Sequence, residues 1–253
     1  MEPAEYEVMA RVEDRHWWYS GMRAIAAAWL DGAYVARNDL QILDAGCGTG
    51  GNGDFLRRYG RPVGLDVARQ ALVLGQRRLP GSILGGSVMA LPFPAAVFDL
   101  VTSFDVLYHR GVVDDRAALR ETWRVLAPGG RLLMRLPAYQ WLQSKHDRAV
   151  HGRHRYVAGE VRTALTTAGF AVERLSYINS LLFPIPLVQR VVERLMPGLE
   201  QAESDLAPPS PVVNTLLRSA LDLEAGALRR GGNFGWGLSV LSLARKPEGS
   251  LYD

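Results

Sequence analysis

The chain has 253 residues, 48% of them hydrophobic and 22% charged, with a net charge of +3. That suits one large globular domain with a substantial core. The basic residues are nearly all arginine, with only Lys145 and Lys246 as lysines, and no dense basic run marks a nucleic-acid footprint. The single cysteine, Cys47, excludes an intrachain disulfide and a Cys-based zinc site, and suits a reducing cytoplasm. The N-terminus has no basic stretch followed by an apolar one, so no signal peptide is expected. No run of about 18 apolar residues exists, so neither a membrane span nor membrane contact is expected.

Residues 4–36 read as helical, interrupted near "HWWYSG". Gln41 to Ala45 reads as a short apolar strand, and Asn52 to Tyr59 as a helix. "PVGLD" (62–66) is a second strand, and Val67 to Arg78 a helix. Ser82 to Gly86 and Val97 to Ser103 are the third and fourth strands. Asp114 to Leu126 is an amphipathic helix stopped by Pro128-Gly129-Gly130, and Arg131 to Leu136 a fifth strand. Gly159 to Ala168 is helical, Ala171 to Tyr177 is a sixth strand, and "GWGLSVLSLARKP" alternates like a last strand. Strands alternating with helices predict an α/β fold, a Rossmann-like doubly wound sheet, mostly parallel with an antiparallel last strand. One domain over 1–253 is expected: a helical N-terminal lid (1–38), a core (39–177), a helical insertion (178–232) and the last strand (233–247).

The stretch "ILDAGCGTGG" (42–51) satisfies G-x-G-x-x-G through Gly46, Gly48 and Gly51. Glycines after a strand let the backbone approach a ligand, and a following helix N-terminus favours anions. The pattern alone does not separate a dinucleotide from other nucleosides. Asp44 does weigh on it: a carboxylate at the strand tip opposes a pyrophosphate and favours a cation. Asp66, 20 residues past Gly46, can accept ribose hydroxyls or cap the next helix.

A ribose-bearing, phosphate-free cation is S-adenosylmethionine (SAM). "ILDAGCGTGG", "GLD", "ALPFPAAVFDLVTSFDVLYH" and "LRETWRVLAPGGRLLMRLPAY" resemble, in order and spacing, the successive motifs of class I SAM-dependent methyltransferases, and with "HWWYSGMR", "HDRAVHGRHRY" and "LSYINSLLFP" a bacterial subset of them. The resemblance implies an enzyme of the EC 2.1.1 class with SAM as cofactor. By position, Asp44, Gly46, Cys47 and Gly48 would line the methionine end. Asp66 would bind the ribose, Val67 would pack on the adenine, and Ser87, Val88 and Met89 would meet the adenine edge. Many relatives carry Asp where Ser87 stands. Phe104 and Asp105 would lie near the methyl group, and Trp18 and Arg23 would reach the cofactor or acceptor from the lid.

Methyl transfer is mainly a positioning task, with a base where the acceptor carries a proton. His109, after the fourth strand, is the first candidate base, and His146, in the His/Arg-rich run 144–157, the second. The histidine spacing matches no metal signature, so no metal is expected. Apolar positions 187, 188, 191, 192 and 195 at helical spacing read as core packing, with a substrate lid, a homodimer surface or a membrane-touching face as the other readings. The expected function is methyl transfer to a small-molecule acceptor, apolar or lipid-like, with no nucleic acid. The alternatives are a non-methylating SAM-binding protein and an NAD-dependent oxidoreductase.

Overall fold

The computed structural model describes residues 3–143, 151–188 and 209–249. In chain order the elements are α1 (Pro3–Val12), α2 (Trp17–Ala33), β1 (Leu40–Ala45), α3 (Gly53–Leu56), β2 (Gly60–Asp66), α4 (Arg69–Gly75), β3 (Ile83–Gly85) and β4 (Phe98–Phe104). There follow α5 (Asp115–Val125), β5 (Leu126–Pro137), a 3-10 turn (Gln140–Leu142), α6 (Ala158–Thr167), β6 (Ala171–Ile178), α7 (Pro211–Arg229) and β7 (Ser239–Arg245).

The strands form one sheet in the order β3-β2-β1-β4-β5-β7-β6. The first five pair in parallel, and β7 runs antiparallel to both β5 and β6. The chain winds outward from β1 to β3, then returns to β4 on the other side. The order therefore reverses between β1 and β4, which opens a crevice at their C-terminal ends.

Apolar side chains cover both faces. On one, Ile25 and Trp29 of α2 and Leu221 and Leu228 of α7 pack with Ile42, Leu100, Leu133 and Leu241 of the sheet. On the other, Leu119 of α5 and Val161 and Leu165 of α6 pack with Leu43, Val101, Leu132 and Val240. Each such buried side chain contributes about 1.5–3 kcal/mol. Helix starts follow their caps: Asp114 accepts the Arg116 and Ala117 amides before α5, and Ser210 accepts the Val213 amide before α7.

Four elements differ from the sequence reading. The helix expected over 52–59 is a single turn, because β2 already begins at Gly60 beside Leu40, where a Cβ would stand 2.0 Å from the Leu40 carbonyl oxygen. The break in the N-terminal helix falls at residues 13–16, ahead of the aromatics, with His16 capping α2. The Gly129-Gly130 pair lies inside β5, at a shift of its register with β4, and is hydrogen-bonded to Lys246 past the end of β7. And β7 is an interior strand: six of its seven residues are buried, so it does not alternate. Of the insertion, α7 is seen packed along α2, where Gly21 leaves room for Leu221. Positions 191, 192 and 195 lie outside the described residues. No helix of the described residues is long and apolar enough to cross a membrane.

Candidate active site

The loop after β1 is shaped by its glycines. Gly46 has φ +83°, and a Cβ there would stand 2.3 Å from Val106 Cγ2 in the loop after β4. Gly48 has φ +54°. Left-handed backbone is strained for any residue with a Cβ. The Gly46 and Cys47 amides both donate to the Leu65 carbonyl, at 2.7 and 3.0 Å. Asp66 fastens the loop to the tip of β2. Its Oδ2 accepts the Gly48 amide and its Oδ1 the Ala68 amide, both at 2.9 Å.

The third glycine serves another purpose. A Cβ on Gly51 would stand 2.0 Å from Glu13 Oε2. Glu13 enters from the N-terminal segment, 4% exposed, and its Oε1 accepts from the Thr49 hydroxyl at 2.5 Å and the Arg78 guanidinium at 2.6 Å. Burial foremost raises its pKa, against the pull of Thr49 and Arg78. Arg23 donates to the carbonyls of Glu13 and Gly51 at 2.9 and 3.4 Å. A carboxylate therefore packs where a dinucleotide site would need room for an anion, and α3 is too short to offer a strong helix dipole. The geometry does not suit a pyrophosphate.

A cavity of about 690 Å³ opens from this loop, within the range of small-molecule sites. Of the residues expected at a cofactor, Gly46, Cys47, Gly48, Asp66, Val67, Ser87, Val88, Phe104, Trp18 and Arg23 line it. Val67, 78% exposed, stands open beside Asp66. The Ser87 hydroxyl accepts the Met89 amide at 3.2 Å. Two residues do not line the cavity. Met89 packs against the core, and Asp44 is buried behind the loop. Cys47 fills space against Gly64, and burial raises its thiol pKa, so it is no nucleophile.

The Thr102 hydroxyl donates to Asp44 Oδ1 at 2.7 Å, while Oδ2 is buried without a hydrogen bond. Burial raises the Asp44 pKa to about 6, against the Thr102 hydroxyl and the Asn52 amide. Unfolded, it ionises near pH 4. Between about pH 4 and pH 6 the native state thus keeps a proton that the unfolded chain has lost. Its stabilising contribution is complete below pH 4 and is lost as pH rises through 6, amounting to about 3 kcal/mol. Urea unfolding of the wild type and Asp44→Asn should therefore diverge with pH, the wild type losing that much more between about pH 4 and pH 7. Parallel profiles for the two proteins would remove this account of Asp44.

His109 also lines the cavity. Burial foremost, with His151 stacked on it at 5.8 Å, lowers its pKa to about 4. Its Nδ1 accepts the Gly111 amide at 3.1 Å. In the neutral ring Nε2 therefore carries the hydrogen and is a donor, an orientation that suits binding an oxygen more than removing a proton. His146 lies outside the described residues. Nearby residues of the His/Arg-rich run serve structure: Arg153 pairs with Asp115 at 2.6 Å, the Tyr156 hydroxyl donates to Asp115 at 2.7 Å, and His154 lies 3.4 Å from Glu160. Among the described residues, no group of three or more His, Cys, Asp or Glu could hold a metal.

At the ends of β4 and β5, Asp105 (φ +56°) pairs with Arg135 at 2.5 Å, and Arg135 stacks on Phe104 at 5.2 Å. Beyond this pair the cavity is mainly apolar, walled by Trp17, Met22, Leu142, Leu182, Leu217 and Leu238. Sequence reasoning missed Arg135, the α1 residues Glu5, Tyr6 and Met9, and Glu13 just past the end of α1, all of which line the cavity. Helical spacing of 5, 9 and 13 was the available signal for these N-terminal residues.

A glycine loop at the switch point of a doubly wound sheet, with an acid at the next strand tip, defines a nucleoside-binding α/β protein. The comparisons narrow this. Residues 43–134 match the family model described as a methyltransferase domain. A Mycolicibacterium smegmatis protein whose name assigns it to the SAM-dependent methyltransferases is 34% identical over 136 residues, 52% of each chain. A Cronobacter sakazakii ubiquinone/menaquinone biosynthesis C-methyltransferase is 30% identical over 184 residues, 56% of this chain and 70% of that one. A Haloferax volcanii chain, solved in the complex of the Trm112 methyltransferase activator with a methyltransferase, superposes with a TM-score of 0.63 at 23% identity, over 99% of this chain and 96% of that one. The chain spans about half the length of the Mycolicibacterium smegmatis protein, and 44% and 42% of two further curated ubiquinone/menaquinone C-methyltransferases. It belongs to the class I SAM-dependent methyltransferases.

The residues fit SAM. Asp66, on the cavity wall, keeps lone pairs for hydroxyls, and Arg23 stands by the loop for a carboxylate. Bound there, SAM would supply an electrophilic methyl group on a sulfonium.

Proposed function

We propose that this chain is a SAM-dependent methyltransferase whose acceptor is an apolar, hydroxyl-bearing small molecule. One observation carries the reading: a single cavity joins the glycine loop and Asp66 to a mainly apolar chamber. Gly46, Gly48, Asp66, Val67, Ser87 and Val88 would hold the nucleoside and methionine parts, with Arg23 on the carboxylate. The chamber beyond Phe104 would exclude water and orient the acceptor, which is the larger part of the catalytic task. His109, as a donor through Nε2, would bind an acceptor oxygen. The likeness to quinone C-methyltransferases supports an apolar acceptor.

The test is calorimetry with SAM and its demethylated product, followed by incubation with methyl-labelled SAM and two acceptors. One is a hydroquinone with an isoprenoid tail, the other glycine. Label extracted with the hydroquinone is expected. Label on glycine alone would overturn the acceptor class, and absence of cofactor binding would overturn the methyltransferase reading.

A further inference from the structure

Six carboxylate or imidazole side chains among the described residues line the cavity: Glu5, Glu13, His16, Asp66, Asp105 and His109. Five are occupied. Glu13 takes Thr49 and Arg78, Asp66 takes two backbone amides, and Asp105 Oδ2 takes both bonds from Arg135. His16 Nδ1 accepts the Trp18 amide, and His109 Nδ1 the Gly111 amide. Glu5 differs: its Oε2 is buried without any hydrogen bond. A buried oxygen with no partner is costly, and such groups concentrate where a ligand completes the set.

We infer that Glu5, carried on α1 of the N-terminal segment, is the catalytic base that takes the proton from the acceptor's hydroxyl. The inference rests on the methyltransferase reading and adds the residue that activates the acceptor. The O–H bond breaks, the proton joins the Glu5 carboxylate, and the electron pair stays on the acceptor as the nucleophile. The carboxylic acid then returns its proton to water. Placement supports this role. Tyr19, whose ionisation senses the charges of Glu5, Asp105 and Arg135, lines the same cavity as all three. Its α1 neighbours Tyr6 and Met9 also line the cavity, with Met9 against Gly48 of the loop. A carboxylate oxygen only accepts, so the matching group on the acceptor is a donor such as a hydroxyl.

The experiment uses the full chain saturated with S-adenosylhomocysteine. Calorimetry compares the isoprenoid hydroquinone with its dimethyl ether, which has no hydroxyl hydrogen. Wild type should prefer the hydroquinone by about 10-fold or more, as for a charge-assisted hydrogen bond. Glu5→Ala should reduce that preference to within about 3-fold, with S-adenosylhomocysteine affinity and melting temperature retained. In turnover, Glu5→Gln should lose about 10²- to 10⁴-fold in kcat, and Glu5→Asp should recover part of it and shift the pH profile. An undiminished preference in Glu5→Ala, or none in wild type, would overturn the role. So would a parallel loss of S-adenosylhomocysteine affinity, which would make Glu5 part of the cofactor cover. Failure of the wild type to bind S-adenosylhomocysteine would instead sink the methyltransferase reading itself.

Discussion

Gly46→Ala is expected to abolish measurable cofactor binding and to lower the melting temperature by roughly 5–10 °C, at about 2–4 °C per kcal/mol for a chain of this size. Two penalties combine. The residue has φ +83°, which costs a side-chain-bearing residue about 1–3 kcal/mol. The new methyl would also stand 2.3 Å from Val106 Cγ2, so the loop after β4 must shift. That shift matters more than the strain, because Val106 lines the cavity together with Phe104 and Asp105. The control is Gly32→Ala near the end of α2, where nothing lies within 4 Å. There alanine should be neutral or stabilising by up to about 1 kcal/mol. If Gly46→Ala behaved like Gly32→Ala, the glycine loop would have no binding role.

Asp66→Ala should weaken S-adenosylhomocysteine binding about 100-fold or more, roughly 3 kcal/mol. The carboxylate has about four acceptor positions. Two hold the Gly48 and Ala68 amides, and the others remain for ligand hydroxyls. Alanine removes both sets, so the loop loses its tie to β2 as the ligand loses its partner. Asp66→Asn keeps the size and one acceptor oxygen, and should fall between wild type and alanine. Calorimetry with the three proteins decides the matter. Wild-type affinity in Asp66→Ala would make the residue a helix cap alone.

The sequence displays both of these positions openly. The glycines and the acids at the tips of β1 and β2 were legible because each obeys a local rule. A left-handed turn wants glycine, and the acid follows the strand at fixed spacing. For the same reason the parallel core was legible, since buried strands read as short apolar runs between turn signals. Gly51 shows where local rules end. It completes the dinucleotide pattern by spacing, yet its missing Cβ makes room for Glu13, 38 residues earlier in the chain. No spacing rule couples the two, because the packing of α1 onto the loop brings them together.

The sequence by itself determined the doubly wound sheet, the position of the glycine loop and the acids at its two strand tips. These depend on interactions within a few residues or on the periodicity of one element. Tertiary structure alone decided that β7 lies inside the sheet, that Asp44 sits behind the cavity, and that Asp105 is taken by Arg135. It alone also brought Glu5 of α1 to the wall of the cavity. Those facts depend on which distant surfaces pack together, and burial sets the charge and partners of a side chain only after that packing is complete.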